Sequence, residues 1–346
     1  MKRFVLLTLF LSISTAFFFS CSDNSTNNPT NNTNPTIASI TPNVAYIGQD
    51  LIIRGKYFGN TRDSSYVELN GSKLEITNYI SWSDSVITIK IPRTAITGQV
   101  VINVGTKKSN SVILTIKPNY FPFSVGSYWM FENFILNMDQ SRDLTSRYVD
   151  STFIEGTELK YGKDSYILAA LVEGSTTAML YNFYSDGPAL YSTADYVFPR
   201  EGATPITLVI PNDWVLIAHP DSTQWTINTQ QINSTIDLGN LGSRPIKGTF
   251  KIYVQKGESK VLNFDYGIGD VNTQEYKIFY DFAGSINIGA DIPVNFTLTQ
   301  HNWYGENIGL MKTLMESKTI TIKVLFTSYD YNIQGMESTI LRYKIQ

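Results

Sequence analysis

Apolar and polar residues alternate in short runs from about residue 37 to the C-terminus, the period that lays one face of a β-strand against a core. Residues 37–42, 50–55, 66–69, 72–76, 86–91, 99–104 and 112–116 predict seven short strands. Asn70-Gly71 stands between two of these runs and predicts a tight hairpin, because both residues tolerate positive φ. The same pattern resumes in the second half of the chain, over 164–173, 178–185, 189–191, 247–255, 258–264, 275–282, 294–303, 319–327 and 338–345. Asp186-Gly187-Pro188 and Lys256-Gly257 predict turns within this series, and residues 309–312 with 319–324 predict a final hairpin. No long run has helical spacing with caps at both ends. The expectation is an all-β chain: an immunoglobulin-like β-sandwich, then a larger curved antiparallel sheet or partial β-barrel.

Two stretches break the alternation, both near the N-terminus. Lys2 and Arg3 precede an almost unbroken apolar and small-residue run over 4–19, and Ser20-Cys21 follows it. The run is short for a membrane span and has the flanks of a signal peptide. A cysteine directly after a small residue at the end of such a run resembles the bacterial lipobox, with Phe18 where the usual Leu stands. The resemblance implies cleavage after residue 20, acylation (palmitate among the chains) of Cys21, export, and attachment to the cell envelope, the outer membrane above all, through lipid. Residues 22–36, SDNSTNNPTNNTNPT, hold no large apolar side chain, so they cannot offset the entropy of ordering and are expected to act as a tether. The expected plan is signal peptide 1–20, lipidated cysteine and tether 21–36, sandwich 37–117 and antiparallel β domain 118–346.

The first folded segment carries a family pattern. Ile40-Thr41-Pro42, Gly48, the run 51–59 (LIIRGKYFG), Val67 to Gly71 and residues 85–92, 98–104 and 109–112 follow in the order of the IPT/TIG domain. The segment resembles that family over its whole length, which implies an immunoglobulin-like fold. Gly55 and Gly59 are expected to supply positive φ at a bend that turns Phe58 inward. Such domains serve in extracellular bacterial proteins as spacers or as carbohydrate- and protein-contact modules; the fold alone implies neither.

The second segment opens YFPFSVGSYWMF at 120–131 and carries WYGENIGLMK at 303–312. The two motifs resemble uncharacterised exported β domains of environmental bacteria. The closing one is similar to the curved sheet of the lipoprotein-carrier (LolA/LolB-like) superfamily. No catalytic residue follows from either resemblance.

Composition narrows the chemistry. Net charge is −3 with 16% charged residues, so there is no basic excess to hold nucleic acid. The single cysteine excludes an intramolecular disulfide framework. His219 and His301 are the only histidines, with no HxH or HExxH spacing, so neither a metal nor a cofactor is expected. A Ser-His-Asp triad is free in its spacing, but no G-x-S-x-G elbow is present. Glu132, Asp150, Glu155, Asp164, Glu173 and Glu306 could supply a glycosidase pair, yet no motif marks them. Aromatic residues make up 13% of the chain. Tyr181, Tyr184 and Tyr191, with Phe183 among them, fall on neighbouring predicted strands, and Trp214 and Trp225 flank a loop. Exposed together, these five tyrosine and tryptophan rings would suit sugar stacking or a hydrophobic ligand; otherwise they fill and border a β core. Three functions fit: a non-catalytic envelope lipoprotein that binds protein or polysaccharide from a stalk, a carrier of lipid or another hydrophobic ligand in a half-barrel, or an extracellular glycan hydrolase. A Cys21→Ala variant is expected to lose incorporation of radiolabelled fatty acid; unchanged labelling refutes lipidation.

Overall fold

A computed structural model describes residues 34–346 except 187–188, 194–195, 199–205, 209–212, 238–241 and 325–326. The signal peptide, Cys21 and most of the tether lie outside the described residues, as does the Gly187-Pro188 turn.

Residues 36–117 form a two-sheet sandwich from β1 (Thr36–Thr41), β2 (Val44–Tyr46), β3 (Asp50–Lys56), β4 (Tyr66–Leu69), β5 (Ser72–Lys73), β6 (Tyr79–Trp82), β7 (Val86–Lys90), β8 (Gly98–Val104), β9 (Lys107–Lys108) and β10 (Val112–Lys117). One sheet runs β1-β3-β7-β6 and the other β2-β10-β8-β4-β5, with β9 paired to β8. Alternation does the work foreseen: Leu51, Ile53, Ile87, Ile89, Val100 and Ile102 are fully buried between the sheets. Asn70 and Gly71 take φ of 45° and 82° in the predicted hairpin. Val44–Tyr46 and Tyr79–Trp82 are strands that the apolar pattern does not mark. Gly55 corrects an expectation. It has no positive φ; a Cβ there would lie 1.9 Å from the Thr36 carbonyl oxygen and 2.4 Å from Phe58 Cζ. Gly59 and Tyr57 take the positive φ instead, at 84° and 64°.

The second unit contains β11 (Tyr128–Leu136), β12 (Tyr148–Lys160), β13 (Lys163–Val172), β14 (Met179–Asp186), β15 (Ala189–Ser192), β16 (Tyr196–Phe198), β17 (Ile206–Leu208), β18 (Val215–Ala218), β19 (Gln224–Asp237), β20 (Ser243–Phe264), β21 (Gly269–Asn287), β22 (Asp291–Gly305), β23 (Gly309–Met315), β24 (Lys318–Val324), β25 (Thr327–Ile333) and β26 (Gly335–Lys344). Twelve of them form one antiparallel sheet in the order β18-β15-β14-β13-β12-β11-β26-β23-β22-β21-β20-β19. Its two ends, β18 and β19, are consecutive in the chain, so the sheet curls into a nearly closed barrel. The hairpins β16-β17 and β24-β25 stand outside the ladder.

Two predicted hairpins are corrected. Residues 247–264 are one strand, because Lys256 and Ser259 frame a β-bulge rather than a turn. Residues 309–315 and 318–324 do not pair with each other: β23 lies between β22 and β26, and β24 pairs with β25.

A buried hydrophobic cluster lies on the inner face of the barrel. Phe250, Ile252, Val254, Tyr276, Ile278, Tyr280 and Phe282 from β20 and β21 are buried in one cluster. Tyr120 and Phe121 of the connector between the two units enter the same cluster, and Phe123 packs against it. The Phe121 ring meets Tyr304 edge-on at 5.1 Å, and Phe123 contacts Trp129, Tyr166 and Phe183 at 5.7 to 6.4 Å. Ile322 is buried there too, with Tyr329 and Tyr331 of β25 packed alongside. A polar belt crosses the same face. Tyr280 donates to Gln300 Oε1 (2.9 Å), Gln300 Nε2 and Thr313 Oγ1 donate to Asn302 Oδ1 (3.0 Å each), Ser338 donates to Asn133, and Asn133 Nδ2 donates to Asp150 Oδ1 (3.1 Å). Burial pushes the Asp150 carboxyl up, against the Asn133 hydrogen bond.

The connector also fixes the sandwich to the barrel. Tyr46 Oη and Lys117 Nζ both donate to Asp221, at 3.2 and 2.6 Å, and Asn119 and Asn307 exchange two bonds of 2.7 and 3.1 Å. A Phe121→Ala variant is expected to lose about 3 kcal/mol of stability, the cost of emptying a buried aromatic site. A guanidinium melt checks this; a midpoint within error of wild type refutes the plug.

Candidate functional site

Strand alternation decides which of the sequence-picked aromatics meet. Tyr166, Leu168, Phe183 and Tyr181 share the inner side of β13 and β14, whereas Tyr184 and its cross-strand partner Tyr191 point outward. The Tyr184 and Tyr191 rings stack at 4.5 Å with 7° between their planes. Trp214, just before β18, meets Tyr184 edge-on at 4.7 Å, and Tyr161 meets Trp214 at 6.2 Å. Lys163 Nζ lies 5.3 Å over the Tyr184 ring and Lys160 Nζ lies 5.6 Å over the Tyr161 ring. Burial is the first cause of the raised Tyr184 phenol, with Tyr191 adding to it. Beneath the rings sits a polar base. Asn182 Nδ2 donates to Glu158 Oε1 at 2.7 Å, and Ser165 Oγ donates to the Glu158 carbonyl at 3.0 Å.

So Tyr184, Tyr191 and Trp214 come together on the outer wall, joined by Tyr161, which the sequence did not single out. Tyr181 is on the other side of the sheet, 3.6 Å from Met179 Sδ through its hydroxyl. Trp225 is elsewhere as well: its Nε1 donates to the Leu216 carbonyl oxygen at 2.8 Å, bridging β19 to β18 across the barrel's seam. Tyr161 could have been found from its hairpin, since Lys160-Tyr161-Gly162-Lys163 joins two alternating runs.

A second outer cluster surrounds His301. Glu275, Trp303, Lys312, Thr339 and Glu132 form a cross-strand row over five strands. Glu275 is buried, and its Oε1 lies 2.7 Å from His301 Nδ1. The bulge makes room for it: a Cβ on Gly257 would lie 2.2 Å from Glu275 Oε2. The His301 and Trp303 rings stack at 5.6 Å, and Lys260 Nζ covers Trp303 at 4.9 Å. Glu337 closes the network with Arg142 at 2.7 Å and Lys312 at 2.5 Å. This arrangement pairs charged and hydrogen-bonding groups along a wall. Among the described residues, no three His, Cys, Asp or Glu side chains gather as a metal set. Glu132 and Asp150, two of the carboxylates considered for glycan hydrolysis, lie on opposite faces of the sheet: Glu132 pairs with Thr339 on the outer row, and Asp150 faces Phe131 inside.

Residues 35–124 match the IPT/TIG domain family. No curated protein matches the chain. Solved structures similar to it include a Parabacteroides distasonis protein named as a lipoprotein (TM-score 0.34, 11% identity, 66% of this chain and 99% of that one). Another is a Bacteroides fragilis protein named as exported, with a YmcC-like fold (0.32, 9%, 66% and 100%). A third is an auxiliary nutrient binding protein from Bacteroides thetaiotaomicron (TM-score 0.24, 10% identity, 76% and 86%). Likeness at this level carries no conclusion about function.

Hydrogen bonding from Arg142, then from Lys312, holds the Glu337 carboxyl down at about 2, below its ordinary 4.5. A depressed carboxylate stabilises the fold above its unfolded value and loses that contribution as pH falls toward the folded one. Thermal stability of wild type is therefore expected to fall more steeply than that of Glu337→Gln between about pH 4.5 and 2. Parallel slopes in differential scanning fluorimetry refute the pairing.

Proposed function

We propose that the mature chain is a non-catalytic, lipid-anchored protein of the cell envelope, in which the immunoglobulin-like domain raises a barrel that binds a protein or polysaccharide from its outer side. One observation carries the binding half of this reading: the β20 and β21 side chains on the inner face are buried beneath connector rings, while Tyr191, Trp214 and the buried Tyr184 cluster on the outer wall. A carrier of hydrophobic ligand needs the reverse, an apolar concave face open to its cargo. Phe250, Ile252, Val254 and Tyr276 are at most 6% exposed, and connector rings cover them. A glycan hydrolase needs two carboxylates facing one bond, and the two carboxylates compared above are separated by the sheet. The anchoring half rests on the run over 4–19, on Cys21 after Ser20, and on the Asn/Thr-rich stretch behind it. Export to the outer membrane, with display on its outer face, completes the reading.

Protease shaving of intact cells that carry the fatty-acid label tests display. The expected result is loss of the barrel with the label retained in the membrane fraction. Protection in intact cells, ending only when the outer membrane is permeabilised, refutes display at the surface.

A further inference from the structure

The two folded units carry opposite charge. Residues 36–117 hold nine lysines and arginines against five acidic residues, a net charge of +4. Residues 118–346 hold 16 against 24, a net charge of −8. The overall balance of −3 hides this division. A basic half on an otherwise acidic chain marks the part that meets an anionic surface.

Strand register shows which end of the sandwich receives the chain from Cys21. Thr36 pairs with Lys56 at the start of β1. The Asn110 side chain accepts from the Ile37 amide at 2.8 Å and donates to the Ile37 carbonyl oxygen at 3.0 Å. From there β10 runs to Lys117, which holds Asp221 of the barrel. The chain therefore enters at the end opposite the connector. Register sets Arg54, Lys56, Lys107 and Lys108 at this end, with Arg62 in the loop over 57–65. Lys56 and Lys107 are exposed, and Tyr57, half-exposed at 50%, follows Lys56. The acidic side chains here are Asp63, Glu68 and Asp84. Asp63 accepts from the Thr61 hydroxyl at 2.7 Å, Asp84 from the Gly59 amide at 3.0 Å, and Glu68 from Lys108 at 3.3 Å.

Chain length fixes what this end meets. Fourteen residues separate Cys21 from Thr36, and a flexible chain of that length spans about 20 Å. An acyl chain on Cys21 thus keeps this end of the sandwich beside the bilayer. Strands of seven residues make the sandwich about 20 Å long, so the barrel stands farther off. At physiological salt the Debye length is about 8 Å, so the barrel's charge does not cancel the attraction of the basic end. Tipping the molecule over would bring the −8 barrel against the same anionic surface, which charge opposes.

We propose that the tether end of the sandwich, with Lys56 and Lys107 among its cations, is a contact surface for anionic lipid headgroups. It adds an electrostatic attachment to the acyl one and stands the barrel away from the membrane. The proposal rests on the anchoring reading above, which supplies the surface that is met.

The test uses the full mature chain, residues 21–346, as Cys21→Ala, so that binding is independent of acylation. The probes are vesicles of phosphatidylcholine alone and of phosphatidylcholine with phosphatidylglycerol in equal parts. Co-sedimentation is measured at about 0.1 M salt, where the Debye length is about 10 Å, and at about 1 M, where it is about 3 Å. Binding is expected to the anionic vesicles alone, and at the lower salt alone. Adding Lys56→Ala with Lys107→Ala is expected to weaken it about thirtyfold, the share of two cations near an anionic surface. Lys56→Arg with Lys107→Arg keeps the charge and is expected to keep binding. Lys247→Ala with Lys344→Ala, at exposed lysines of the barrel, is expected to bind like the parent. No binding to anionic vesicles, equal binding to neutral ones, or binding that loss of Lys56 and Lys107 leaves unchanged each overturns the contact. None of these touches the anchor, which fatty-acid labelling of Cys21 tests by itself. Anionic binding without any label on Cys21 overturns the anchor and upholds the lipid contact.

Discussion

A twelve-stranded sheet that curls on itself encloses more room than its own side chains fill, and everything else here follows from how that room is occupied. The connector occupies it. Tyr120 and Phe121 lie buried among the β20 and β21 side chains, and Phe123 reaches Trp129 on one side and Phe183 on the other. Burial pushes the Tyr120 hydroxyl up to about 12, the Glu306 charge adding to it, so the phenol stays neutral at the barrel's mouth. The segment between the two units is therefore a structural part of the second, and the family match to residue 124 runs into it.

Where apolar side chains stop, the inner face turns polar, and the groups of the belt bond one another, although the Tyr276 hydroxyl beside Asn302 is buried with no hydrogen-bond partner. The belt from Tyr280 through Gln300 and Asn302 to Thr313, and from Ser338 through Asn133 to Asp150, spans six neighbouring strands, Thr313 and Ser338 being cross-strand partners. Buried polar groups cost stability unless each finds a partner. A belt of short amide and hydroxyl side chains achieves this because strand register sets their spacing, so the inner wall also pins the register that aims Tyr184 and Tyr191 outward.

Much of this was legible in the sequence, for a physical reason: period-two alternation is a local property, and it marks strands wherever one face is buried. It placed β3, β7 and β8 of the sandwich and β13, β14 and β26 of the barrel. It failed where tertiary context decides. Gly257 has the composition of a turn and is a bulge, because the Glu275 carboxylate needs the space its missing Cβ leaves. Gly55 likewise serves close approach of Thr36 and Phe58, which no local rule shows. Of the five aromatics picked as a site, three gather. Tyr181 stands three residues from Tyr184 on β14, so alternation alone already sets it on the opposite face, and Trp225 belongs to the seam, which exists only when the sheet closes. The His301–Glu275 pair was invisible because its members are brought together by pairing of β21 with β22.

The seam joins the two halves of the account. β18 is four residues long and pairs in the ladder only with β15. Its other side is held to β19 by the Trp225 indole and by the loop that follows it, in which the Lys256 amide donates to the Thr223 carbonyl oxygen at 2.9 Å. That same loop carries Asp221, bound by Tyr46 and Lys117 of the sandwich. Hydrogen bonding from Lys117 lowers the Asp221 carboxyl, so the contact is kept as an ion pair at neutral pH. Trp214 immediately precedes β18. A strand this short, with one ladder partner, is the weakest part of the sheet by the usual measure of buried contact. The sandwich thus braces the strand that positions the outer tryptophan, and an immunoglobulin-like domain that looks from sequence like a spacer becomes part of what holds the barrel's outer wall in shape.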